Sequence, residues 1–314
     1  MKTVCSAASG RQIVVLSAII LIGALLVVPV LQGIEERHGS EGPDPDLLYF
    51  SSPSVVKKMA MGYDQLLADV YWLRTIQYFG RRDEADQRPV RYKNLAAFLD
   101  ITTTLDPGLL DAYHMGSIFL GEPVAGAGQP EEAVKLLDKG IESNPQAWRL
   151  RFDKGFVYYL YLNDFNAAAQ VWLDASRRPE SPEWMAGLAA RAFSQGGSMD
   201  LARDLWKQQY DEATNADLKE NARNRLISLQ VAEDIWTLEY LLEIYRLMHE
   251  TYPRSLSELS SLKSGNLPLV DPLGTPYDYD AESGAVRLSD QTNVHYLEVP
   301  DAYKKAFLNN LTQP

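Results

Sequence analysis

The chain has 314 residues, 46% of them apolar and 23% charged, which is enough for two modest domains or one extended array with a buried core. Asp and Glu outnumber Lys and Arg by 42 to 30, and the formal charge of −12 argues against a nucleic-acid or anionic-membrane surface, which needs clustered Lys and Arg. The only cysteine, Cys5, excludes an intramolecular disulfide and a cysteine-based zinc site.

From Ile13 to Ile34 no side chain is charged, and Ile, Val and Leu dominate. At ~1.5 Å per residue such a run crosses a hydrocarbon core of about 30 Å as one helix. A signal peptide has a shorter apolar region and ends at a small-x-small site. Val28-Pro29-Val30-Leu31-Gln32-Gly33 shows no such site, so an uncleaved anchor is expected. Lys2 and Arg11 precede the run, whereas Glu35, Glu36, Glu41, Asp44 and Asp46 follow it. A basic flank marks the cytoplasmic side. Residues 1–34 therefore read as a cytoplasmic leader and transmembrane helix of a single-pass inner-membrane protein whose bulk is extracytoplasmic, in the periplasm. Residues 35–54 read as a linker, because Gly39-Ser40-Glu41-Gly42-Pro43-Asp44-Pro45 denies any regular element.

Helical periodicity dominates from Val55 to about His249. Within it Ala133, Leu137 and Pro145 recur as Ala167, Val171 and Pro179, each pair 34 positions apart (167−133, 171−137, 179−145). A small Ala lets two helices approach, the bulky residue one turn later fills the hole, and Pro stops the helix. Gly155 and Tyr158 fit the first helix of the same unit, while Arg151 and Lys154 stand where Trp and Leu are usual. One unit earlier, Pro107 and Pro145 are 38 apart (145−107), and the surplus falls in the turn Glu122–Pro130. Another unit begins at Pro182, with Ala202 and Trp206 in the second-helix places; its register is open by one, since Ala167, Ala168 and Ala169 all offer a small residue. Tyr63–Phe79 and Tyr92–Leu105 read as one more, weaker pair. This pattern resembles the tetratricopeptide-repeat family over roughly residues 55–215. The resemblance implies helix pairs stacked into a right-handed superhelix with a concave side. It also implies that first-helix positions Arg149, Phe152, Phe156 and Tyr159, with Asp111 and His114 of the preceding unit, line a groove for a protein or peptide partner.

Residues 216–250 read as one or two long helices that cap the last repeat, with Leu226, Ile227, Val231, Ile235, Leu238, Leu241, Leu242 and Tyr245 at helical spacing. Beyond Tyr252-Pro253 a capping box, Ser255 with Glu258, opens a short helix. Tyr277–Tyr279 and Ala285–Leu288 then flank a turn and read as a β-hairpin. Tyr245-Arg246, Tyr252-Pro253, Ser255-Leu256, Leu259, Asp271-Pro272-Leu273-Gly274-Thr275-Pro276-Tyr277 and Gly284 give about residues 235–290 a resemblance to the soluble part of type II secretion pseudopilins, with Leu273 in the usual Trp position, and residues 251–314 read as a pseudopilin-like module. Gly10 is followed by Arg11 and lacks a prepilin-peptidase pattern, so a filament subunit is not expected.

The expected fold class is mainly α: a transmembrane helix, a solenoid of helix pairs, and a small α+β module. Chemistry is sparse. His38, His114, His249 and His295 form no ligand pair, and Tyr252-Pro253 breaks the helix where a zincin would place its second His. There is no phosphate loop, nucleophile elbow or dinucleotide fingerprint, and no cofactor is implied. Asp278, Asp280 and Glu282 are alternate oxygen ligands of the kind calcium takes, although their number is low. The expectation is a non-enzymatic scaffold for protein–protein contacts in a secretion or pilus-related envelope assembly, bound to no nucleic acid. Its rivals are a cation-binding pilin-like module with the repeats as spacer, and an enzyme with an unrecognised carboxylate site.

Overall fold

The computed structural model describes residues 52–80, 92–262, 267–294 and 300. The described residues form α1 (Pro53–Met59), α2 (Asp64–Phe79), α3 (Leu95–Leu105), α4 (Leu110–Gly121), α5 (Pro130–Ser143), α6 (Trp148–Phe156), α7 (Phe165–Ser176), α8 (Trp184–Gln195), α9 (Met199–Glu212) and α10 (Ala216–His249). A 3₁₀ turn at Leu256–Ser261 and the strands β1 (Asp278–Asp280) and β2 (Ala285–Arg287) follow. The fold is mainly α. No helix among the described residues is long and apolar enough to cross a membrane. The run Ile13–Ile34 expected to do so lies outside the described residues.

From α2 to α10 each helix packs on the next; α1 leans on α3, and α4 also meets α6. Local chemistry sets the boundaries. Pro53 and Pro130 occupy first-turn positions of α1 and α5, where a missing N–H costs nothing. Asp164 caps α7 by accepting from Ala167 N–H at 2.9 Å, and Asn215 caps α10 by accepting from Asp217 N–H at 2.8 Å. The apolar faces close into three cores. The first runs from Val56 to Val157, the second from Ala168 to Trp236, and the third joins Val231, Ile235, Leu238, Leu241 and Leu242 to Leu259, Tyr277 and Val286. Helix α10 serves the last two at once, which is why the expected one or two capping helices form one unbroken element.

Helix α6 divides the first core from the second. Leu150 and Val157 belong to one, whereas Phe152, Phe156, Tyr158 and Tyr159 pack against the other. It ends in a π-helical turn, Val157–Tyr161, closed by Leu162 N–H donating to Val157 O at 3.2 Å. That turn holds one residue more than α-helical geometry would, and it corrects the repeat register. The fully buried pair on α7 is Ala168 with Trp172, while Ala167 and Val171 are only half-buried. Ala168 and Trp172 stand 34 before Ala202 and Trp206 (202−168, 206−172), but 35 after Ala133 and Leu137 (168−133, 172−137).

Arg151 is 6% exposed, and its Nε donates to Asp174 on α7 at 2.6 Å. Arg178 donates to the same carboxylate. Burial alone would raise the Asp174 carboxyl, but the two guanidinium groups hold it below its ordinary value. Asp174 itself is half-exposed, so solvent screens the pair. Arg151→Met should therefore stay within ~1 kcal/mol of the parent in thermal melts, because an apolar replacement of a buried ion is often neutral. Asp174→Ala, which leaves Arg151 buried without its carboxylate, should be the more harmful change, and the reverse order would overturn this account.

In the C-terminal part the Ser255–Glu258 capping box forms, and β1 pairs antiparallel with β2, Tyr279 opposite Val286. Asp271 is buried and organises the preceding turn. Its carboxylate accepts from Leu273 N–H at 2.9 Å, Thr275 N–H at 2.8 Å and Thr292 Oγ1–H at 2.6 Å. Tyr277 OH then donates to Asp234 Oδ2 on α10 at 3.0 Å, tying the turn to the long helix.

Candidate functional site

Helices α4 and α6 lie side by side, and between them runs a groove of about 270 Å³. His114, Ser117 and Ile118 come from α4; Phe152, Asp153 and Phe156 come from α6; Val157, Leu160 and Tyr161 come from the π turn. Spacings of three and four bring each set to one helix face.

The groove holds one polar pair in an apolar lining. His114 Nδ1 lies 2.9 Å from Asp153 Oδ2, and Asp153 is buried. Burial pushes the Asp153 carboxyl up, an effect partly offset by the hydrogen bond to His114 and by the charge of Arg149. With Asp153 ionised, Nδ1 carries the imidazole proton, and Nε2 is the ring atom left for an occupant. Ser117 Oγ–H donates to the carbonyl of His114 at 2.7 Å. The hydroxyl is thus engaged with its own helix, and no serine–histidine relay is formed.

Of the six groove residues expected from the sequence, the structure brings together His114, Phe152 and Phe156. Arg149 stands exposed near the Trp148 ring at 5.9 Å, and Asp111 is exposed on the first turn of α4. Tyr159 is elsewhere. It packs on Phe165 and Trp172, at ring separations of 5.2 and 5.5 Å, on the α7 side. The π turn is the reason, since the extra residue gives Leu160 the groove position that α-helical spacing assigns to Tyr159.

Phe152 and Phe156 have two faces. Phe152 meets Phe156 at 4.7 Å and Trp184 at 5.6 Å, and Phe156 meets Trp172 at 5.6 Å, so both serve the second core while lining the groove. Asp153 was not singled out in the sequence. The signal was the offset of 38 between Pro107 and Pro145, which sets His114 beside Phe152 and one residue from Asp153.

Asp278 and Asp280 lie on the exposed face of β1 with Glu282 in the turn beyond. The Asp280 carboxylate accepts from Glu282 N–H at 3.0 Å and from Ser283 Oγ, and so closes the hairpin turn. Among the described residues, no three His, Cys, Asp or Glu gather as a metal site would require. A second cleft of about 320 Å³ between the α7–α8 connection and α9 mixes Arg177, Glu183 and Glu212 with Leu173, Ala186 and Ala213. Comparison with protein-family models, with curated proteins and with solved structures gave no match.

Proposed function

We propose that this chain is a non-enzymatic scaffold: a single-pass membrane protein that presents a tetratricopeptide-like array in the periplasm and binds a protein partner in the α4–α6 groove. The observation that carries it is the groove itself. Its floor is apolar, its rim residues Ile118 and Leu160 are exposed, and the His114–Asp153 pair supplies one oriented polar group. Such a combination suits an amphipathic helix or extended peptide, which places apolar anchors in the cleft and one polar group at the imidazole. The apolar run Ile13–Ile34 with its basic flank supports the anchor, and the Asp271–Tyr277 segment supports an assembly related to secretion or pili, by resemblance.

A photoreactive residue at Leu160 or Ile118, activated in native membranes, should give one defined cross-linked protein. The same probe at Lys207, exposed on α9, should not. Ile118→Glu with Leu160→Glu should weaken capture about 30-fold or more, equivalent to losing one hot spot of ~2 kcal/mol. Equal products from groove and control positions would sink the reading.

A further inference from the structure

The face that carries the groove continues onto α8 and α10, and its chemistry changes there. Phe152 of the groove meets the Trp184 ring at 5.6 Å, and Trp184 is 43% exposed on the first turn of α8. A spacing of seven returns to the same helix face, so Arg191 lies on that stripe two turns further on. It is exposed, and it is the only charged residue of α8. Arg225 on α10 follows it by 34 positions (225−191), the spacing that also relates the buried Ala and Trp of α7 to those of α9. Leu188 and Leu226, close to these arginines on their helices, pack against the same core. Arg225 is half-buried. Burial lowers its guanidinium from the ordinary value, and the nearby charge of Arg191 lowers it further.

No carboxylate answers this pair. Three and four positions to either side of each arginine there is no Asp or Glu. Among the described residues neither arginine has a hydrogen bond or ion pair. Other arginines do: Arg151 and Arg178 share Asp174, Arg203 reaches Glu233, and Arg223, two residues before Arg225, takes Glu220. Two neighbouring like charges, one of them partly desolvated, cost free energy that an anion from outside removes. We propose that the partner seated in the groove is an acidic protein segment, whose Asp or Glu side chains reach Arg191 and Arg225 while its apolar anchors fill the α4–α6 cleft. This rests on the groove proposed above as the partner site. Charge complementarity selects the occupant, because a guanidinium takes a carboxylate in two parallel bonds. An isolated pair in a chain of net charge −12 lacks the field of Lys and Arg that an anionic bilayer or nucleic acid requires. Packed helices stand about 10 Å apart, so an extended segment carries its acids roughly three to six residues from its apolar anchor.

The test uses the full chain in native membranes, with a photoreactive residue at Leu160 in the groove or at Ser194, one turn from Arg191. Both should cross-link the same protein, and mass spectrometry of the Ser194 product should find an Asp or Glu within about three residues of the attachment. Arg191→Glu supplies the missing carboxylate from the chain itself and should cut the Leu160 product about tenfold. Arg191→Lys, which keeps the charge but not the planar fork, should lose less. Lys207→Glu, the same charge change on exposed α9, should leave the yield unchanged. Arg225→Gln removes a repelled charge, so capture should fall while the circular dichroism melt holds or rises; a lower melting temperature would make the pair a structural contact and overturn the proposal. A Leu160 product indifferent to Arg191→Glu overturns the acidic partner and leaves the groove standing. No product at Leu160 overturns both. A Ser194 product on lipid, or on the acidic stretch Glu35–Asp46 of this chain, overturns the choice of a partner protein.

Discussion

Trp172→Ala should lower the stability of the helical array by about 3–5 kcal/mol, the cost of emptying a buried aromatic site. Trp172 is among the largest fully buried side chains, and it holds α6 to α7 in three ways. Its indole N–H donates to the carbonyl of Phe152 at 2.9 Å, and its ring lies 5.6 Å from Phe156. It also fills the space over Gly155, where an added Cβ would come within 2.1 Å of the indole nitrogen. No side chain fits at position 155 while Trp172 keeps its place. Gly155→Ala alone should therefore cost ~1–3 kcal/mol by overpacking. Combined with Trp172→Leu, the two changes should cost less than their sum, because the smaller residue makes room for the methyl group. Thermal and denaturant melts followed by helical circular dichroism give the cycle. Strict additivity would show that the two positions do not share this contact.

The same turn of helix explains what the sequence revealed and what it hid. Apolar periodicity located the helices, and small-residue spacing located the close helix approaches, because both follow from packing geometry that local sequence encodes. The π turn at Val157–Tyr161 has no such signature; five apolar or aromatic residues in a row fit an α-helix equally well. Its one extra residue turned Tyr159 into the core, brought Leu160 into the groove, and moved the buried Ala–Trp pair of α7 from Ala167 to Ala168. One local deviation thus produced these departures, whereas Arg149 and Asp111, which precede it in the chain, are exposed outside the groove lining. The His114–Asp153 pair was hidden differently. Its members are 39 positions apart (153−114), and only the lengthened Glu122–Pro130 turn, counted into the offset, brings them abreast. In the C-terminal part the turn residues were legible because their chemistry is local: Ser255 and Glu258 cap, and Gly274 takes φ +92°. The Tyr277–Asp234 bond was not, since it crosses 43 positions between a turn and a helix.

That bond makes the Asp271 turn a structural joint, and its disruption should be large. Asp271→Ala removes a buried carboxylate that accepts from Leu273 N–H, Thr275 N–H and Thr292 Oγ1–H, and should cost about 2–3 kcal/mol. Asp271→Asn keeps an acceptor at Oδ1 and should cost less. The pH dependence separates charge from shape. Burial alone would raise the Asp271 carboxyl, but the Thr292 hydroxyl and the N–H groups of Thr275 and Leu273 hold it below its ordinary value. A depressed carboxyl contributes stability that is fully present above the unfolded value of about 4 and is lost as pH falls through the lower folded value. The parent chain should therefore loosen its C-terminal part as pH falls below about 4, whereas Asp271→Asn should show a flatter acid limb over the same range. Amide hydrogen exchange at Leu273 and Thr275, whose N–H groups bond the Asp271 carboxylate, reads that part separately from the helical array. If the acid limb of the parent and of Asp271→Asn coincide, the turn is held by its backbone bonds, and the Asp271 charge contributes nothing to the joint.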